Sequence, residues 1–166
     1  MTALQSLLLC CLFAAGWACY SQSQRPSGDC PEGWTLRAEE AICVRLFLEQ
    51  EVTWERARDV CRASGGELFD PKTEALNEFL FELIEAVQPK ADVWIGLNDR
   101  EREGDYRWAD GTQATYTRWG LDQPTGGTAT AFEFDCVEFW GGGLGEWYDT
   151  DCRIGNEFAC QRSANQ

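Results

Sequence analysis

The chain has 166 residues, 28 Asp and Glu against 14 Lys and Arg, no histidine, and a formal net charge of −14 at pH 7. Such a charge repels phosphates, so nucleic-acid binding is disfavoured; it suits solubility, cation binding or contact with a mineral surface. Without histidine there is no Ser–His–Asp triad, no Cys–His pair and no His-ligated zinc site. No motif singles out a carboxylate pair for glycosidase work either, so the sequence reads as a binding protein and not an enzyme.

The N-terminus opens on an apolar run from Leu7 to Ala18, too short to span a bilayer. Gly16 and Ala18 form a small-x-small cleavage pair, and residues 1–18 read as a signal peptide, with cleavage as late as residue 21. No second apolar stretch is long enough to span a membrane, so a secreted, extracellular product is expected. Export accounts for the nine cysteines, because disulfides persist in oxidising compartments. Cys10 and Cys11 fall inside the leader. Cutting after Ala18 keeps Cys19, whose odd thiol could link two chains as a disulfide-bonded dimer; cutting after Ser21 removes it. Residues 19–29 form a short polar link, 30–161 the folded domain, and 162–166 a tail.

Along the domain, Cys30-Pro31-Glu32-Gly33-Trp34 opens a small hairpin, and Arg45 to Phe47 continues as a strand. Thr53 to Ser64 reads as a helix. Thr53 caps it, Glu55 complements its dipole, and Trp54, Ala57, Val60 and Cys61 share one face. Gly65 and Gly66 stop it. A second helix is expected to start around Asp70-Pro71, with Leu76, Leu80, Leu83, Ile84 and Val87 as its apolar stripe and Pro89 as its stop. Strands follow at Val93–Leu97, Tyr106–Trp108 and Thr115–Thr117, the last two joined by an Asp110-Gly111 turn. Residues 119–131 are loop-like. Cys136–Phe139, Glu146–Tyr148 and Phe158–Cys160 supply the last strands, and Gly141-Gly142-Gly143 reads as a turn, since it lacks the Lys and Ser or Thr of a phosphate loop. None of the four asparagines heads an N-glycosylation sequon.

Short motifs in order resemble the C-type lectin domain over about residues 30–161. They are Cys30-Pro31 with Gly33-Trp34, Thr53-Trp54 with Ala57, Cys61 with Gly65-Gly66, Trp94-Ile95-Gly96-Leu97, Trp108 with Asp110-Gly111, Gln123-Pro124, Asp135-Cys136-Val137, and Trp147 with Asp149 and Cys152. The resemblance implies an α+β fold with two helices, two small antiparallel sheets and a long disulfide-anchored loop. Six cysteines alone leave their pairing open; the resemblance selects Cys30–Cys43, Cys61–Cys160 and Cys136–Cys152.

The resemblance also implies a ligand site in the long loop. Sugar-binding members hold calcium there, through hard oxygens from a Gln-Pro or Glu-Pro turn, a preceding acid and a Trp-Asn-Asp strand. Gln123 and Asp149 match as ligands, and Pro124 and Trp147 as scaffold. Thr125 stands in place of an acid or amide, and Tyr148 in place of Asn. Phe134 occupies an acidic position, with Glu133 beside it able to substitute. A second calcium position matches Asp99, Glu103 and Asp135, with Gly126 where another acid is common. Plainer roles compete: Asp99 and Glu103 as solvated charge, Asp149 paired with Arg153, Gln123 as a turn residue. The implied function is a calcium-dependent, galactose-type lectin whose partners are glycans or glycoproteins. The alternative is a related module for a protein, mineral or ice surface, which the Thr125 and Tyr148 replacements and the acidic charge favour.

Overall fold

The computed structural model describes residues 29–126 and 133–164. The expected signal peptide, Cys10, Cys11, Cys19, nearly all of the expected polar link and the last two residues lie outside the described residues, as does the stretch 127–132.

Local chemistry sets the first helix as expected. Thr53 is extended and its side chain accepts from the Arg56 N–H at 3.3 Å, so α1 runs over Trp54–Ala63. Gly65, at φ +78°, ends it by donating its N–H to the Arg62 carbonyl. The second helix starts later than the sequence suggests. It is α2, Glu74–Val87, and Thr73 caps it, accepting from the Leu76 N–H at 3.2 Å. Asp70 serves the core instead of the helix. It is 1% exposed, its N–H donates to Gln161 Oε1, and its carboxylate lies against Gly96. Burial pushes that carboxyl up to about 7, even with Lys72 Nζ 3.5 Å away.

The strands are β1 Thr35–Arg37, β2 Ile42–Val52, β3 Glu67–Leu68, β4 Val93–Asn98, β5 Cys136–Phe139, β6 Trp147–Thr150 and β7 Asn156–Ser163. The two small sheets expected are in fact one. The strands join in a single seven-stranded sheet ordered β1-β2-β7-β4-β5-β6, with β3 on β7. The join is the parallel pairing of β4 with β7, Val93 opposite Glu157 and Trp94 opposite Phe158; the other pairings are antiparallel. Tyr106–Trp108 and Thr115–Thr117 form no strands. Arg107 makes isolated bridges to Asn98 and Gln113.

Three disulfides staple this frame: Cys30–Cys43, Cys61–Cys160 and Cys136–Cys152, the pairing the resemblance implies. Cys61–Cys160 ties α1 to β7 across a sequence separation of 99. A loop of that length is worth about 4–5 kcal/mol if the bond acts by restricting the unfolded chain. Cys136–Cys152 joins the start of β5 to the chain just beyond β6 and so anchors the long loop.

The core bears directly on β6. The Trp147 ring meets Trp108, Tyr116 and Trp119 edge-on, and its indole N–H donates to Asn77 Oδ1 at 2.7 Å. Asn77, on α2 and 1% exposed, returns a hydrogen bond from Nδ2 to the Gly145 carbonyl at 2.8 Å. Helix, turn and strand are thereby fixed together, which sets the depth at which the next two residues of β6 emerge.

Candidate functional site

Period-two alternation along β6 turns Trp147 and Asp149 inward and leaves Tyr148 partly exposed. The chain 118–126 runs beside it. Trp147 donates its N–H to the Arg118 carbonyl and accepts from the Gly120 N–H, and the Gln123 N–H closes back on the Gly120 carbonyl at 3.1 Å. The Gln123–Pro124 peptide is cis. Gln123, Thr125, Tyr148 and Asp149, separated in sequence, are thus gathered at one turn.

At this turn Asp149 is 5% exposed and served by four donors. Its Oδ1 accepts from the Thr125 N–H at 2.7 Å and the Thr125 hydroxyl at 2.9 Å. Its Oδ2 accepts from the Gly126 N–H and, at 3.4 Å, from the Tyr106 hydroxyl. Gln123 completes the set, its Oε1 accepting from the Asp149 N–H at 3.2 Å. Arg153 takes no part, because it pairs with Asp151 at 2.7 Å. Burial, with the nearby charges of Asp99, Asp149 and Glu103, holds the Tyr106 phenol far above its ordinary range, so it remains a donor.

Asp99 also lies near Tyr106. It is 2% exposed, and its Oδ2 accepts from the Gly104 N–H at 2.8 Å while its Oδ1 has no hydrogen-bond partner. Burial pushes its carboxyl up to about 6; the Gly104 N–H opposes this, and the Glu103 and Asp135 charges add to it. Glu103 reaches toward the long loop. A Cβ added at Gly126 would stand 3.0 Å from Glu103 Oε1 and 2.9 Å from Asp149 Oδ2, so an acidic side chain there would have to push both carboxylates aside. Glu133 and Asp135 face elsewhere. They line a shallow cleft with Arg100, Asp151 and Arg153, in which burial and the Glu133 charge raise the Asp135 carboxyl and Arg100 lowers it.

The sequence pattern of the family described as Lectin C-type domain matches residues 50–162. This chain belongs to the C-type lectin domain family. It is similar to the snaclec stejaggregin-A subunit alpha of Trimeresurus stejnegeri, 34% identical over 141 residues, which covers 80% of this chain and 81% of that one. It is also similar to C-type mannose receptor 2 of Mus musculus, 29% identical over 135 residues, or 81% of this chain but 9% of the receptor. Among solved structures, the mouse scavenger receptor C-type lectin carbohydrate-recognition domain superposes with a TM-score of 0.72 at 25% identity, covering 83% of this chain and 100% of that one.

Calcium fits this C-type lectin domain poorly. It requires six to eight hard oxygens, and Gln123 and Asp149 already spend theirs on the loop's own N–H and O–H groups. Among the described residues, no three acids or cysteines converge to hold a metal. Among the described residues of this site, Asp99 Oδ1 is the buried carboxylate oxygen without a hydrogen-bond partner.

One feature of the face was missed in the sequence. Trp140 and Tyr148 pack ring against ring, centroids 4.7 Å apart. Tyr148 lies so close over Gly120, and Trp140 over Gly142, that a Cβ at either glycine would overlap the ring. Leu121 and Leu144 are exposed apolar side chains, 83% and 74%. The signal for this was the glycine run directly after Trp140, taken only as a turn.

Proposed function

We propose that this C-type lectin domain is a secreted, non-catalytic lectin that binds galactose-type glycans on glycoproteins through the Gln123–Pro124 turn and the Tyr148 ring. The observation that carries the reading is the convergence of Gln123, Thr125, Tyr148 and Asp149 on one cis-proline turn. With Gln123 Oε1 spent on the Asp149 N–H, its Nε2 donors have no protein partner among the described residues and are free for a sugar hydroxyl. The Trp140–Tyr148 pair adds an aromatic face against which the apolar side of a sugar ring can pack. Relatives named for mannose and for carbohydrate recognition support the ligand class. Among the described residues no helix is long and apolar enough to cross a membrane, in keeping with secretion.

A second reading is a module for a protein or mineral surface, favoured by the hydrogen-bonded saturation of Asp149 and by the net charge of −14. A glycan array run in calcium and again in chelator separates the two. Binding confined to one sugar class, and lost in Tyr148→Ala, is the result expected. A folded protein that binds no glycan in either buffer moves the assignment to the second reading.

A further inference from the structure

We infer that the turn from Gln123 to Gly126 is held onto Asp149 by its own hydrogen bonds in the place of a calcium ion, with Thr125 supplying two of the four donors. A carboxylate offers about four lone-pair sites, and Asp149 receives four donors: the Thr125 N–H and O–H, the Gly126 N–H and the Tyr106 O–H. An incoming cation would have to displace them. Thr125 is exposed and Gly126 and Tyr106 are half-buried, so water would take up part of the loss, but the cation would still have to outcompete four hydrogen bonds to a charged acceptor.

The chemistry of residue 125 decides the outcome. A carboxylate at that position would face Asp149 as a second negative charge, and a cation or a shared proton would be needed to hold the two together. Threonine reverses the relation. Its hydroxyl donates to the same oxygen as its own N–H, so one residue makes two hydrogen bonds to Asp149 Oδ1. Gly126 completes the clamp because, lacking Cβ, it brings its N–H against Oδ2 between Asp149 and Glu103. Gln123 Oε1, the other matched ligand, turns to the Asp149 N–H. The residues that weaken the ion site are therefore those that replace the ion. The inference concerns the same turn as the reading above and, where that reading holds, makes the binding face metal-independent.

The test is amide hydrogen exchange by NMR on the intact protein, in calcium and in chelator. The Thr125 and Gly126 amides should be protected in both buffers, with rates agreeing within about twofold. Thr125→Val, which loses the hydroxyl donor, should raise Gly126 exchange by about tenfold, the equivalent of one hydrogen bond to a charged group. Thr125→Ser should retain the wild-type rates. Amides that exchange freely in chelator and gain protection on adding calcium would overturn the inference, as would a Thr125→Val protein with wild-type rates. Should Thr125→Val not fold, the wild-type comparison decides alone. An array without glycan binding, alongside amides protected in chelator, would sink the sugar reading and leave the hydrogen-bonded turn standing. Chelator-sensitive glycan binding with calcium-gated protection would do the reverse.

Discussion

Asp149 and Asp99 are buried almost alike, 5% and 2% exposed, and lie near the same tyrosine, yet the fold treats them differently. Asp149 has four donors; Asp99 has one on Oδ2 and none on Oδ1. Burial is thus a weak guide to what a carboxylate does. The supply of donors decides whether it organises the chain around it or waits for a proton or a cation. In this domain the turn that carries the sugar-type motif is the self-sufficient one, while the acid beside it is left incomplete.

The sharpest way to break this comparison is to truncate both acids. Asp149→Ala removes the acceptor of the Thr125, Gly126 and Tyr106 donors and should cost about 3 kcal/mol in urea unfolding, since a hydrogen bond to a charged group is worth about 1.5–3 kcal/mol and water takes up part of the loss at exposed Thr125. Asp99→Ala strands one N–H and relieves a poorly solvated charge, so it should cost less than half as much. Equal losses would mean that donor count is not what distinguishes them.

A smaller effect comes from pH. The Asp99 carboxyl is raised from an ordinary 3.8 to about 6 in the folded state, chiefly by burial. The folded form therefore holds the proton more tightly than the unfolded chain. Its stabilising contribution is full below about 3.8 and disappears as pH rises through about 6. Melting temperature measured in chelator should fall across that window, and Asp99→Asn should flatten the fall. Asp70, raised to about 7, adds to the same trend and persists in the variant, so the difference between the two profiles is the quantity to read. Identical profiles would remove Asp99 from the account.

The smallest effect expected is none. Arg153 pairs with Asp151 at the surface and is 78% exposed in its side chain. Arg153→Ala should leave the unfolding midpoint and the Thr125 and Gly126 exchange rates unchanged, because exposed ion pairs contribute little. A loss of loop protection in that variant would tie Arg153 to Asp149 after all.

Much of the frame was legible along the chain. Thr53 and Gly65 delimit α1 by chemistry within a few residues, and the glycine, tryptophan and cysteine motifs lead through resemblance to the family and to the pairing of the six cysteines. The residues of the candidate site were legible too, as a set of matched positions. Their relations were not. The start of α2 moved because the Asp70 N–H finds Gln161, 91 positions away. The two expected sheets became one because β4 meets β7 in parallel, a partner no local pattern names. The role of Trp140 was hidden because its neighbour Tyr148 approaches from another strand.

The replacement of an acid by Thr125 looks in sequence like simple loss of a ligand. In the folded chain it is a gain, since Thr125 lies 24 positions from Asp149 and donates to it twice. The sequence alone determined which caps, stops, staples and polar groups were available, because those depend on chemistry within a turn or on the inventory of side chains. Only the tertiary structure decided which donor met which acceptor, because a hydrogen bond acts over about 3 Å and its partners here are brought within that range by the packing of β6 against the long loop.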